Sequence, residues 1–138
     1  MTKRMCRSRC TSRYPRKWYL SNYFISGCYS LQNITIPSGI TSIGNRVFEK
    51  AYSLQNIIIP SSVTSIGATV FTNIYSLAIV DFSNHTSIPT LTSGFTNIQS
   101  DCKIIVPDTL YNDWIAASVW SNYASNIISK SDWDALNS

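Results

Sequence analysis

Two consecutive segments of the chain are near copies of each other, and this internal repeat constrains the fold more than any other feature. Residues 30–52 read SLQNITIPSGITSIGNRVFEKAY and residues 53–75 read SLQNIIIPSSVTSIGATVFTNIY, which are identical at 15 of 23 positions. A divergent third copy starts at Ser76, and CKIIVP at residues 102–107 is a partial fourth. A unit of 23 residues cannot bury an apolar face alone, so the copies must stack to form one core.

Each repeat contains a short stretch in which apolar residues alternate with other residues and a proline follows. The sequence Ile57-x-Ile59-Pro60 is the clearest example, and it recurs one repeat earlier and in the partial fourth copy. Alternation over a few β-branched residues predicts a strand with one buried face, and proline ends the strand because it has no backbone N–H to donate. The following T-S-I-G predicts a second short strand and a turn, with Phe48 and Phe71 pointing inward.

After the last of these prolines, the apolar spacing changes to that of a helix. Leu110, Trp114 and Ile115 share this spacing, and Asp108 is a suitable N-cap residue. We expect this helix to lie across the open end of the stack, which needs a cap. The predicted organisation is a basic arm (1–17), an N-terminal cap with a partial repeat (18–29), the repeat solenoid (30–107), a capping helix and lid (108–130) and a tail (131–138).

The repeat consensus S-L-x-x-I-x-I-P-x-x-(I/V)-T-S-I-G-x-x-(V/A)-F resembles the BspA-type leucine-rich repeats of bacterial surface proteins and of phage or prophage structural proteins. The resemblance covers residues 25–107, and the stretch after Cys102 is similar to the end of such arrays. It implies a β-rich solenoid of leucine-rich repeats with a C-terminal capping helix. It also implies a non-enzymatic role in adhesion or protein recognition, and it transfers no catalytic residue to this chain.

Charge is divided unevenly along the chain. Residues 1–17 carry seven bases and no acid, whereas residues 18–138 carry four bases and seven acids, so a net charge of +4 divides into +7 and −3. The arm is interpreted either as a solvated tail or as an anchor to other virion proteins, with nucleic acid as a less favoured partner. The charged residues of this anchoring arm are Lys3, Arg4, Arg7, Arg9, Arg13, Arg16 and Lys17.

Targeting signals are not recognised in the sequence. No apolar stretch follows the basic arm, so no signal peptide is predicted, and no apolar run is long enough for a membrane-spanning helix. We therefore expect the protein in a virion or on a bacterial cell surface, carried there as a component of a larger assembly, without membrane insertion. A homo-oligomer is compatible with this expectation.

The outward-facing side of the predicted strands is the candidate partner-binding surface. Polar residues dominate it, and isoleucines at two positions add an apolar contact. The expected partner is a protein or a surface glycan, because Ser, Thr, Asn and Tyr side chains form adaptable hydrogen bonds. The candidate binding residues are Thr35, Ile58, Asp81, Ile105, Gln32 and Gln55.

Sequence motifs for catalysis, metal ions or cofactors are absent, so the sequence predicts no enzyme, no metal site and no cofactor. The sole histidine, His85, lies in NHTS and is interpreted as a polar loop residue. The function predicted is therefore a non-catalytic binding or adhesion module of a phage particle or bacterial surface. The alternative is a structural virion protein, a capsid or tail decoration, that its basic arm anchors.

Overall fold

The computed structural model describes residues 19–20, 32–48, 51–93 and 95–138. In these ranges the chain forms short strands that alternate between two parallel sheets, except that the last two strands belong to the same sheet. Sheet A has the order β1-β3-β5-β7 and sheet B the order β2-β4-β6-β8-β9. The strands are β1 (Tyr19–Leu20), β2 (Asn33–Thr35), β3 (Ser42–Ile43), β4 (Asn56–Ile58), β5 (Ser65–Ile66), β6 (Ile79–Asp81), β7 (Thr90–Leu91), β8 (Lys103–Val106) and β9 (Ile127–Ser129).

The strand register follows the sequence repeat. In sheet B, Ile34 pairs with Ile57, which pairs with Val80, and Val80 pairs with Ile104. In sheet A, Ser42 pairs with Ser65, the equivalent residue one repeat later. The predicted stacking of the copies and the predicted second strand in T-S-I-G are therefore confirmed. The stacked repeats and parallel sheets agree with the predicted repeat fold.

The core lies between the two sheets and contains one aromatic row. Phe48 and Phe71 are both fully buried, as the sequence predicts, and their ring centroids are 5.8 Å apart. Phe95 extends this row from the third repeat, with its ring centroid 4.7 Å from that of Phe71. Leu54 and Leu77 are also fully buried, one repeat apart. Burial of each such side chain contributes about 1.5–3 kcal/mol.

Turns at the edge of sheet A bring neighbouring repeats into close backbone contact. The Gly67 N–H donates to the Ile43 carbonyl at 2.8 Å, and the Asn45 side chain accepts from the Ala68 N–H at 2.8 Å. A Cβ at Gly67 would lie 2.8 Å from the carbonyl carbon of Gly44. Glycine is required here because the backbones approach more closely than a methyl group allows.

The third repeat is longer than the first two on the sheet A side. Ser65 pairs with Thr90, so the spacing there is 25 residues, whereas Ser42 and Ser65 are 23 apart. The extra residues lie in the turn that contains His85. The interpretation of His85 as a polar loop residue is wrong, because His85 is only 4% exposed.

The chain after Pro107 forms helices and one further strand. A 3₁₀ turn (Asp108–Leu110) leads into α1 (Tyr111–Ala116), and a 3₁₀ segment (Trp120–Asn126) leads into β9 and α2 (Lys130–Leu136). Neither β9 nor α2 was predicted from the sequence, and α2 includes most of the expected tail. No helix in the described ranges is long and apolar enough to cross a membrane.

Two tryptophans attach this C-terminal part to the repeats. Trp114 from α1 and Trp120 are each at most 1% exposed, and each ring centroid lies 5.3 Å from that of Phe82. Trp120 Nε1 also donates to the Pro89 carbonyl at 2.8 Å. The last repeat and the C-terminal segment therefore share one aromatic cluster.

Candidate partner-binding face

The outer face of sheet B, the side turned away from the core, carries the candidate residues. Because Ile57 and Val80 point into the core, the strand residues on either side of them point outward. One outward row pairs Asn33 with Asn56, Ile79 and Lys103, and the next row pairs Thr35 with Ile58, Asp81 and Ile105. The structure thus aligns all four predicted strand positions, one per strand, in a single row.

Ile58 is the apolar residue that the outer face presents most openly. Its side chain is 51% exposed, whereas its neighbours Ile57 and Ile59 are each 1% exposed. Strand alternation explains this contrast, because the chain has isoleucine at three consecutive positions and only the middle one turns outward. Ile58 pairs with Asp81, which places a carboxylate beside the exposed alkyl chain.

Amide side chains lie in the neighbouring row of the outer face and just before the strands. Asn56 Nδ2 donates to Asn33 Oδ1 at 3.1 Å, which links the two strands on the outer face. Gln32 and Gln55 are exposed one residue before these strands, and the Gln55 N–H donates to the Gln32 carbonyl at 2.8 Å. The backbones of both glutamines are fixed by strand pairing, so their side chains extend from a rigid base.

Asp81 is partly buried and is engaged locally. Its Oδ1 accepts the Ser83 N–H at 2.8 Å, an Asx-type contact that shapes the turn after β6. The Asp81 charge also acts on Lys130, which helps to raise the pKa of that lysine, although the hydrogen bond to Asp134 contributes most. Asp81 therefore contributes one negative charge near the centre of the face.

Ile105 must be removed from the candidate contact surface. It lies in the predicted row, but it is 2% exposed and is separate from the main core cluster. Helix α2 packs against β8 and β9, and β9 pairs Ile128 with Ile105. The exposure predicted for Ile105 is wrong because the C-terminal helix covers the outer face at this strand.

Helix α2 is held at the boundary of the open face by polar contacts. The Ser129 hydroxyl caps its first turn by accepting the Asp132 N–H at 3.2 Å. Asp108 Oδ1 accepts the Ser131 N–H at 2.9 Å, and this bond lowers the pKa of the Asp108 carboxyl. Lys130 and Asp134 form an exposed ion pair at 2.7 Å. These contacts fix where the accessible part of sheet B ends.

Some predicted residues lie outside what the structure describes. The anchoring arm, residues 1–17, is outside the described ranges, and so is the side chain of Thr35, although its strand pairing with Ile58 is defined.

A second exposed feature, a pair of stacked tyrosines, was not predicted from the sequence. Tyr52 and Tyr75 are 41% and 58% exposed, and their rings stack with centroids 6.0 Å apart. They lie in the turns between β3 and β4 and between β5 and β6, and the Tyr75 hydroxyl donates to Asn73 Oδ1, which also accepts from Asn97 Nδ2 at 2.8 Å. Tyrosine at a spacing of 23 residues was the signal that could have found them.

The described residues form no group of three or more side chains suited to hold a metal ion. His85 Nε2 is 3.3 Å from the Val63 carbonyl oxygen, and its Nδ1 has no partner. Asp81, the nearest acid in sequence, is bonded instead to Ser83. Cys102 is a buried free thiol, and burial raises its pKa to about 12, so it remains protonated at neutral pH.

Comparison with known proteins agrees with this architecture. Residues 18–125 match the family model described as "BspA type Leucine rich repeat region (6 copies)". The chain matches no curated protein and no solved structure. The family match covers most of the chain, including the stacked strands and the Trp114–Trp120 segment. The chain therefore belongs to the BspA type leucine-rich repeat family.

Proposed function

We propose that this protein is a non-catalytic module that binds a protein or a glycan through the outer face of sheet B. The observation that carries the proposal is the exposed Ile58 side chain beside the hydrogen-bonded Asn33 and Asn56 amides on a parallel sheet. An apolar contact within a polar rim is the arrangement found in protein-binding surfaces. Membership of the family is consistent with a surface or adhesion role.

Rigidity of the scaffold supports this role. The two sheets share a core in which Phe71, Leu77 and Val80 are fully buried, so the outer side chains need little ordering when a partner binds. Asn and Gln side chains supply both donors and acceptors, which suits sugar hydroxyls as well as peptide groups. A binding surface of this kind needs no catalytic group.

We interpret the C-terminal segment as the cap of a short solenoid. Trp114 and Trp120 cover Phe82 of the last full repeat, and β9 adds a strand beside β8. A stack of repeats needs such a cap, because its last strand would otherwise expose apolar side chains and unpaired backbone groups. The burial of Trp114 and Trp120 and the pairing of β9 with β8 support this interpretation.

The location proposed for this binding module is a phage particle or a bacterial surface. The uneven charge supports a second candidate function, a structural virion protein that decorates a capsid or tail. In that case the seven bases of residues 1–17 anchor the protein, and the mildly acidic body extends outward. Both functions use the same scaffold, but they place the essential contact at opposite parts of the chain.

The experiment that tests the binding proposal uses the full chain on an array of bacterial and host glycans and against a displayed library of random peptides. The Ile58→Asn variant should bind at least tenfold more weakly than the native chain to the glycans or peptides that the native chain binds. The matched control is Ser61→Ala, an exposed change in the adjacent turn, which should bind as the native chain does. Equal binding by Ile58→Asn and the native chain would contradict the assignment of this face.

A deletion of residues 1–17 separates the two functions. Under the binding proposal, the truncated chain keeps its affinity for the selected glycan or peptide. Under the structural alternative, light scattering of particles assembled in the producing cell shows that the truncated chain is no longer incorporated. Incorporation without the arm would exclude the anchoring role.

A further inference from the structure

The third repeat has a titratable side chain at a position where the first two repeats have aliphatic ones. The N–H groups of Ile40, Val63 and His85 each donate to the carbonyl three residues earlier, at 3.1, 3.1 and 2.9 Å. All three side chains are buried, with 2%, 1% and 4% exposure. His85 therefore takes the inward position of the turn, although its sequence neighbours are polar.

The hydrogen bonds of His85 define its neutral form. Nε2 lies 3.3 Å from the Val63 carbonyl oxygen, which can only accept, so Nε2 carries the proton. Nδ1 is then the unprotonated nitrogen, and it is buried without a partner among the described residues. Protonation would place an N–H and a positive charge at this buried atom, which forms no hydrogen bond with any described residue, and the Phe82 carbonyl offsets only part of the cost of burying the charge.

The ring lies between the repeat core and the C-terminal segment. It meets Phe82 edge-on with centroids 5.2 Å apart, and Trp114 of α1 edge-on at 6.1 Å. The Trp114 ring in turn lies 5.3 Å from that of Trp120, centroid to centroid, and Trp114 Nε1 likewise has no hydrogen-bond partner among the described residues. Any displacement of the His85 ring must therefore disturb the aromatic cluster that holds α1 on the third repeat.

Few charges near the ring can stabilise a protonated form. Asp81 is the charged group that acts on it, and this carboxylate is bonded to the Ser83 N–H. The turn of Val63 contributes no charged residue, the 3₁₀ segment Trp120–Asn126 contributes none, and α1 contributes Asp113, which is exposed, and Tyr111. Burial lowers the pKa of His85 below 6.5, against the weaker opposite effects of the Val63 and Phe82 carbonyls and of Asp81.

We propose that His85 is an acid-sensitive latch: its protonation releases α1 and the Trp120–Asn126 segment from the third repeat while the preceding repeats stay folded. The attached state requires neutral His85, and the released state exposes the ring to water, where it takes up one proton. Acid therefore favours release. Because the transition is linked to one proton, the ratio of released to attached molecules rises at most tenfold for each pH unit below the pKa of the exposed histidine.

The first experiment uses the fact that His85 is the only histidine of the chain. Nitrogen-15 NMR of the full chain should show the proton on Nε2 at pH 7.5. Amide hydrogen exchange, corrected for the intrinsic effect of pH, should show protection of residues 111–126 falling by up to tenfold per unit between pH 6.5 and 5. Protection of β4 and β6 should change much less. A proton on Nδ1, or an unchanged protection of α1, would overturn the proposal.

Two variants separate titration from packing. His85→Gln retains an N–H donor for the Val63 carbonyl but has no charge to gain, and His85→Val restores the residue type of the second repeat. Whichever folds, judged by circular dichroism at pH 7.5, should keep α1 protected at pH 5. If its α1 protection falls with acid as steeply as in the native chain, another group controls release and the latch is refuted.

Discussion

Replacing Phe71 with alanine tests whether the aromatic row stabilises the stack. The Phe71 ring is fully buried and lies between two other rings, with centroid distances of 5.8 Å to Phe48 and 4.7 Å to Phe95. The ring of one repeat thus contacts those of both neighbours. Its removal creates a cavity at the junction of three repeats, and the flanking rings are fixed by their own backbones.

The expected cost follows from burial and stacking together. Truncation of a buried phenylalanine to alanine lowers the free energy of unfolding by about 3–5 kcal/mol, through lost transfer energy and the cavity. Each stacked aromatic pair adds about 0.5–1.5 kcal/mol beyond burial, and Phe71 takes part in two pairs. We therefore expect a loss near the upper end, about 4–5 kcal/mol, which is a large part of the stability of a small domain.

Urea unfolding followed by far-ultraviolet circular dichroism measures this loss. The matched control is Tyr75→Ala, which also removes a stacked ring but one that is 58% exposed, and it should cost about 0.5–1 kcal/mol. Phe71→Leu keeps most of the apolar volume and should cost about 1–2 kcal/mol. A loss below about 2 kcal/mol for Phe71→Ala, or one equal to that of Tyr75→Ala, would refute the reasoning.

Four further predictions concern the backbone and the buried thiol. Gly67→Ala should lower the free energy of unfolding in urea by about 1–3 kcal/mol, because its Cβ would meet the Gly44 backbone. An unchanged free energy would show that the two turns can move apart. Thr69 has a φ of 53°, which a β-branched residue rarely adopts, so Thr69→Asn should raise the melting temperature, and a decrease would contradict the strain argument. The Cys102 thiol, with a pKa raised to about 12, should resist iodoacetamide at pH 8 until urea is added, as peptide mapping would show. Above pH 9 its unfolded form ionises first, so stability should fall by at most about 1.4 kcal/mol per pH unit, and Cys102→Ala should lack this loss.

The repeat made the central part of the fold predictable. Spacing alone places Ile34, Ile57, Val80 and Ile104 in one row, and the parallel pairing confirms it. Such rows are predictable because equivalent residues of stacked repeats occupy equivalent positions, so that one repeat determines the next. The same reasoning predicted the contact of Phe48 with Phe71.

Departures from the repeat were not predictable in this way. The third copy retains the sheet B register but has a longer turn, which moves Phe95 and Thr90 out of the 23-residue spacing. His85 falls in this turn, and its flanking Asn84 and Thr86 are both exposed. A short polar motif gives no sign of which member turns inward, because that depends on the carbonyl hydrogen bonds of the turn.

The error at Ile105 shows how the end of a stack changes the meaning of a repeated position. Ile58 and Ile105 occupy the same outward row, yet one is 51% exposed and the other 2%. The difference comes from the segment that follows β8, because β9 adds the last strand of sheet B and α2 then packs against both β8 and β9. An isoleucine is therefore a candidate contact in an internal repeat and a cap contact in the terminal one. It follows that the accessible part of the candidate partner-binding face ends between Asp81 and Lys130, and that a larger face would require additional repeats before β8.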